Sequence, residues 1–421
     1  MTVPGSVVVP GTGDWRNAEA ARLIAFGRAA ALPGGGFGWL DGRGQVDATQ
    51  PRPLYLSARM IHVFALAFLA GDASARPLAD SGLAALVSSY ADEENGGWFA
   101  SLDFAGRITD TTKDNYAHAH VLLAASTAIA AGLTGAEDMF AATAAAISRH
   151  FWSDAEGRAR ESWDAGFTQL EPYRGANSNM HSVEAYLAAG DASGDRAWHE
   201  RALSIATYLI DAHARANAWR VPEHYDQDWR PLPHYNEDRR ADQFRPYGTT
   251  PGHSFEWARL LLDLEAALNS QTGDAQIGAQ AGGSAPAWLL EAATGLFDAA
   301  VADAESRDGH PGLLYTVDLG RRPVITARLH WVACEAVLAA DALHRRTGEE
   351  RFAAAAARWW SDIDRYFIDR QNGGWHHELT PEMTPAAGTW SGKPDLYHAY
   401  QALLFPSLPL TPTAAASLAH R

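Results

Sequence analysis

The chain of 421 residues is 47% hydrophobic and carries 15 tryptophans, enough to fill the core of a large globular protein, and its length alone allows two or three domains. Its formal charge of -16, without any Lys/Arg-rich run, excludes the electrostatic footprint that follows a phosphate backbone, so no nucleic-acid partner is expected. The single cysteine, Cys334, excludes an internal disulfide and fits a reducing compartment.

The opening stretch, MTVPGSVVVPGTGDW, lacks the basic segment of a secretion signal. The longest weakly polar run, VLLAASTAIAAGL, falls short of the ~20 residues that a bilayer span needs, so a cytoplasmic protein without membrane contact is expected. Short Gly/Trp segments ending near an acid then return six times: GFGWLDGRG, GGWFASLD, GRARESWD, WRVPEHYDQD, GLLYTVDL and GGWHHEL. Their markers Trp39, Trp98, Arg158, Trp219, Leu313 and Trp375 are spaced by 59, 60, 61, 94 and 62 residues, the regularity of a structural repeat. Between them IHVFALAFLA, AHVLLAASTAIAA, EAYLAAG, ARLLLDLEAAL and HWVACEAVLAADAL have apolar residues at helical spacing. The one long interval is explained by a polar loop from Asp226 to Thr250 and by QTGDAQIGAQAGGSAP, which reads as a surface loop.

Six helix pairs can form an open solenoid or close into a ring. A solenoid marks its ends with polar caps, whereas the first and last markers here, Trp39 and Trp375, are as aromatic as the middle ones. The expected fold is therefore all-α: an (α/α)6 barrel of six inner and six outer helices, one domain over residues 1–421, with short extended segments at a funnel.

Each helix following an extended segment begins with polar residues that a buried helix does not need. They are Arg59 and His62; Asn115, Tyr116, His118 and His120; Asn177, Asn179, His181 and Glu184; His253 and Glu256; His330, Trp331 and Glu335; and Asp395, Tyr397, His398 and Gln401. The pairs His181/Glu184 and His253/Glu256 share a spacing of three that puts both members on one helical face, and His398/Gln401 repeats it with an amide. Glutamates there could simply cap helix N-termini, but capping has no need of histidine. His62, His118, His120 and His330 fit a core role equally well.

A two-metal centre built from Glu-x-x-His pairs has the reverse order, and no HExxH motif or cysteine cluster is present, so no metal and no cofactor are expected. Paired-acid glycosidase chemistry could use Glu184 and Glu256, but would leave the adjacent histidines without a task. The only lysines, Lys113 and Lys393, lie beside acids in TTKDN and SGKPD, where Schiff-base chemistry is not expected. GGGFG at 34–38 reads as a turn rather than a phosphate loop. What remains is proton transfer, for which histidine is suited at neutral pH. Tyr55, Tyr116 and Trp331 offer faces for a sugar ring, so carbohydrate isomerisation is the reading.

The stretches SARMIHVFALA, KDNYAHAHVLLA, RGANSNMHSVEAYLA, RPYGTTPGHSFEWARLLL, HWVACEA and SGKPDLYHAYQALL, spread over nearly the whole chain, resemble the N-acylglucosamine 2-epimerase superfamily. Within it, WSGKPDLYHAYQ looks like the mannose isomerase and sulfoquinovose isomerase branch. The resemblance implies an (α/α)6 barrel and an aldose–ketose isomerase that interconverts D-mannose and D-fructose, or D-lyxose and D-xylulose, through a cis-enediolate without metal. By the same resemblance His253 and His398 are the acid–base pair, His181 helps open the ring, and Glu256 holds and tunes His253. Arg59, Tyr116, Asn177, Arg245, Trp331 and Asp395 are implied to bind sugar hydroxyls or stabilise the enediolate. A sugar 2-epimerase, a sulfoquinovose isomerase, an (α/α)6 glycoside hydrolase and a sugar- or protein-binding module stay open as alternatives. The expected partner is a monosaccharide, bound by a monomer or a homo-oligomer.

Overall fold

The computed structural model describes residues 9–273 and 284–420. Most of the glycine-rich segment QTGDAQIGAQAGGSAP lies outside the described residues. After α1 (Gly13–Gly27), helices follow in inner and outer pairs: α2 (Leu54–Leu69) and α3 (Arg76–Tyr90), α4 (Asn115–Ala130) and α5 (Ala136–Ala146), α6 (Ala176–Ser193) and α7 (Ala197–Ala206). Then come α8 (Pro251–Gly273) and α9 (Trp288–Ala304), α10 (His330–Thr347) and α11 (Glu350–Asp362), and last the inner α12 (Tyr397–Leu404) and a short α13 (Ala414–Ala419).

Sequence chemistry separates the two layers. In α2, every residue from Leu54 to Ala67 is buried, as expected of a helix that is apolar all round. In α11 only Phe352, Ala355, Trp359 and Trp360 are buried, a stripe that leaves the charged face to solvent. The inner helices touch in the order α2, α4, α6, α8, α10, α12 and back to α2, and α1 packs on α12 as the sixth outer helix. The ring is closed, as the aromatic end markers predict.

The extended segments show how closure is enforced at the mouth. The N–H that opens each inner helix, or lies just before it, donates to a carbonyl one repeat further on: Leu54 to Ala100 (2.9 Å), Asn115 to Glu161 (2.9 Å), Ala176 to Glu223 (2.9 Å), Thr249 to Val317 (2.8 Å) and His330 to His377 (3.1 Å). The sixth bond, Lys393 N–H to Leu40 O at 2.8 Å, joins the last repeat to the first. These bonds satisfy donors that a helix start leaves open. They also set each marker segment beside the preceding repeat's helix entrance.

Both lysines prove structural. Lys113 Nζ lies 2.5 Å from Asp92 and 2.6 Å from Gly96 O, and Lys393 Nζ repeats this with Asp369 (2.5 Å) and Gly373 O (2.8 Å). Both are buried, and an acid and a carbonyl of the Asp-x-x-x-Gly-Gly-Trp turn receive each ammonium. Burial opposes the charge on Asp369; Lys393 and hydrogen bonds from Asn372 and Gln371 outweigh it and hold the carboxyl well below the usual carboxylate range. Removing one partner of a buried pair strands the other charge, so Lys393→Met should lower unfolding stability by about 3–5 kcal/mol in urea titrations. Arg107→Ala, which breaks a largely exposed pair with Asp103, should leave the urea midpoint almost unchanged. Equal effects would contradict this account of closure.

Candidate active site

A pocket of about 580 Å³ opens at the mouth and is lined from every repeat by Arg59, Tyr116, Asn177, His181, His253, Glu256, Trp331, Asp395 and His398, among others. Of the residues singled out by sequence, these nine and His330 meet in one place. Tyr55 and Arg245 do not line it; they lie in a wider outer vestibule that shares Tyr116, Asn177 and Phe244 with the pocket. Arg245 is committed to Glu171, with its two terminal nitrogens 2.6 and 2.9 Å from the carboxylate oxygens, so the hydroxyl-binding role that the resemblance implies meets an arginine already paired.

The histidines sort by what holds their Nδ1. His253 Nδ1 lies 3.0 Å from Glu223 Oε2 and His398 Nδ1 lies 2.8 Å from Glu335 Oε1. A carboxylate that accepts from Nδ1–H leaves Nε2 as the lone-pair nitrogen. Both rings lie beside Trp331, with centroids 5.3 Å (His253) and 5.7 Å (His398) from it. Glu256 is therefore not the partner of His253. Its carboxyl points along the same helical face but ends 3.7 Å from His181 Nδ1, and neither of its oxygens has a hydrogen-bond partner among the described residues. Burial first, then the nearby Glu335 and Glu184, push the Glu256 carboxyl well above its usual range, so of the three glutamates it is the one whose charge is opposed most.

Glu223 escaped the sequence reading because it lies in the marker segment WRVPEHYDQD, not at a helix start. One signal was present: Glu161, Glu223 and His377 occupy equivalent positions, each offering its carbonyl to the first N–H of an inner helix. Tyr315, His377 and Trp390 line the pocket and were also missed.

Arg59 is the positive centre of the site. Its guanidinium donates to Asp395 Oδ2 at 2.5 Å and to Tyr116 Oη at 2.8 Å, and lies over the Tyr397 ring at 4.5 Å. Tyr397 donates in turn to Glu184, which also accepts from Gln401 at 3.1 Å. Burial pushes the His181 imidazole down to about 4 and His398 well below its usual value, with Arg59 adding to both. His330, stacked on His377 at 4.2 Å, is pushed down to about 4 by burial. His62 and His118 are held elsewhere: Nδ1 of His62 meets Thr127 at 2.7 Å, and His118 bridges Asp114 O and Trp98 N–H.

Two groups, His181/Glu184/Glu256 and Glu256/Glu335/His398, have donor atoms close enough to surround a cation. The guanidinium of Arg259 already faces Glu184, Glu256 and Glu335 at 3.6, 3.9 and 3.4 Å, so these carboxylates meet a fixed positive charge supplied by the chain.

The sequence model of the N-acylglucosamine 2-epimerase (GlcNAc 2-epimerase) family matches residues 35–402. The chain belongs to the N-acylglucosamine 2-epimerase family. It is 49% identical over 406 residues to a D-mannose isomerase from Thermobifida fusca, covering 96% of each chain. A D-mannose isomerase from Pseudomonas cannabina pv. alisalensis is 46% identical over 411 residues, covering 97% of this chain and 96% of the relative. The crystal structure of a D-mannose isomerase superposes with a TM-score of 0.85 at 28% identity, covering 94% of this chain and 98% of that one.

In this 2-epimerase family member, burial and Arg59 both penalise a positive charge on His398, so its imidazole should stay neutral as pH falls through the ordinary histidine value of ~6.5. Histidine NMR, with the His398 signal assigned by His398→Asn, should show an uncharged ring at pH 6.5. Arg59→Gln removes a repelling charge and should move the titration to higher pH. A ring half-protonated at or above ~6.5 in the wild type would contradict the site's electrostatics.

Proposed function

We propose that the protein is an aldose–ketose isomerase that interconverts D-mannose and D-fructose by proton transfer through a cis-enediolate. The observation that carries this reading is the pair of imidazoles, His253 on Glu223 and His398 on Glu335, both beside Trp331 in one pocket with Arg59. The D-mannose isomerases of Thermobifida fusca and Pseudomonas cannabina, similar over nearly their whole length, support the choice of sugar.

His398, kept neutral by burial and Arg59, takes the C2 proton of the open-chain aldose on its Nε2. The C2–H electrons form the C1=C2 bond, and O1 gains negative charge. The buried guanidinium of Arg59 is permanently cationic and needs no reorganisation to stabilise that charge. His253 moves the hydroxyl proton from O2 to O1. The imidazolium of His398 then returns a proton at C1, C2 becomes the carbonyl, and the ketose is complete. Return at C2 from the opposite face would give the epimer instead; the similarity to D-mannose isomerases supports return at C1. His181, beside Glu184 and Glu256, is placed to assist ring opening. Asp395, Asn177 and Tyr116 offer hydrogen bonds to the sugar hydroxyls.

The test is mannose turnover in deuterated water, followed by NMR. Fructose should form ahead of glucose and gain deuterium at C1 to the extent that the imidazolium exchanges with solvent. The same products should form after exhaustive dialysis against a chelator. Early glucose in excess of fructose, or activity lost on chelation and restored by a divalent ion, would overturn the reading; the latter outcome would favour metal-assisted chemistry.

A further inference from the structure

Behind the histidines, on the side away from the mouth, Arg259 of α8 is buried among four carboxylates from three inner helices. Its Nε lies 3.4 Å from Glu335 Oε2 and its Nη1 lies 3.3 Å from Asp263 Oδ2. Its Nη2 lies 3.6 Å from Glu184 Oε1 and 3.9 Å from Glu256 Oε1, and makes no hydrogen bond among the described residues. The other oxygen of Glu335 is the one that holds His398 Nδ1 at 2.8 Å. One carboxylate thus connects a guanidinium outside the substrate pocket to an imidazole inside it.

We propose that Arg259 is a positioning residue for the isomerisation: by keeping Glu335 ionised, it fixes His398 in the tautomer whose Nε2 is bare and can accept the substrate proton. The inference deepens the isomerase reading and rests on it for the effect on rate.

The chemistry follows from which group carries a proton. A carboxylate at Glu335 can only accept, so Nδ1 must bear the hydrogen and Nε2 must be the lone-pair nitrogen. A protonated Glu335 would donate to Nδ1 and drive the hydrogen to Nε2, and an Nε2–H cannot take a proton from C2. Three buried glutamates so close together cannot all be charged against one guanidinium. Glu256 is the one whose charge is opposed most, by burial and then by its two neighbours. Burial also pushes Glu335 up, and Arg259 is the largest influence that opposes it. Glu184 stays well below the usual range: burial works against its charge, and His181, Arg259 and Tyr397 outweigh it. The remaining groups facing Arg259 and Glu335 are Asp263 on α8, which burial pushes up to about 6, and His181 on α6.

The experiment compares wild type, Arg259→Met and Arg259→Lys by nitrogen-15 histidine NMR, which separates the Nδ1–H and Nε2–H tautomers without any turnover, alongside kcat, KM and thermal midpoint. His398 should be Nδ1–H in the wild type and in Arg259→Lys, and Nε2–H in folded Arg259→Met. In that variant kcat should fall by at least ~10², as for loss of a general base, with KM changed far less. Added guanidinium ion should restore part of the rate, because Arg259 also lines a second pocket, shared with Arg345, Phe405 and Leu408, by which a small cation can approach. An Nε2–H ring in the wild type, or an Nδ1–H ring in folded Arg259→Met, would overturn the proposal. Should Arg259→Met not fold, an Nε2–H ring in either of the other two forms would do the same. If the tautomers are as stated but no aldose is turned over, the isomerase reading falls and the control of His398 by Arg259 stands.

Discussion

A carboxylate buried behind an imidazole decides which nitrogen carries the hydrogen, and that choice decides whether the ring can act as a base. Here each imidazole is held by a carboxylate from another element: Glu223, in the marker segment that leads into α8, reaches forward to His253 on that helix, and Glu335 on α10 reaches across to His398 on α12, in the next repeat. The second pairing depends on neighbouring repeats packing side by side, and Glu223 is itself fixed by a mouth bond, since its carbonyl accepts the N–H that opens α6.

Such a site is costly to bury. Four carboxylates and a guanidinium lie together at the barrel axis, where an unpaired charge would cost several kcal/mol. The structure offsets this by sharing Arg259 among the carboxylates and by a continuous apolar core between the two helix layers. Replacing the whole cluster with apolar residues would remove the cost of burying charge, and with it the groups that hold the histidines.

Much of this was legible in sequence, for a physical reason. A helix buried on all faces has no use for polar residues, so Arg59, His181, His253, Trp331 and His398 stood out against their apolar surroundings, and the structure brings them to one pocket. The repeat near sixty residues and the aromatic ends gave the closed ring. What was not legible depends on contacts between residues far apart in the sequence. The spacing of His253 and Glu256 correctly put them on one face, but a shared face does not make a hydrogen bond, and Glu223 from a marker segment takes that place. Arg245 reads as a ligand for sugar until its partner Glu171, 74 residues away, is seen. The acids written next to Lys113 and Lys393 are not the ones that receive their ammonium groups; the receiving turn lies further upstream in each case.

The central claim, that His253 works through Glu223 and not through Glu256, is tested most directly by two double-mutant cycles on kcat. Each combines His253→Asn with either Glu223→Gln or Glu256→Gln. A carboxylate that acts only through an imidazole has nothing left to lose once the imidazole is gone, so the first pair should be strongly non-additive, with the double variant no slower than His253→Asn alone. The second pair should be closer to additive, since Glu256 faces His181. Non-additivity with Glu256 and additivity with Glu223 would contradict the account.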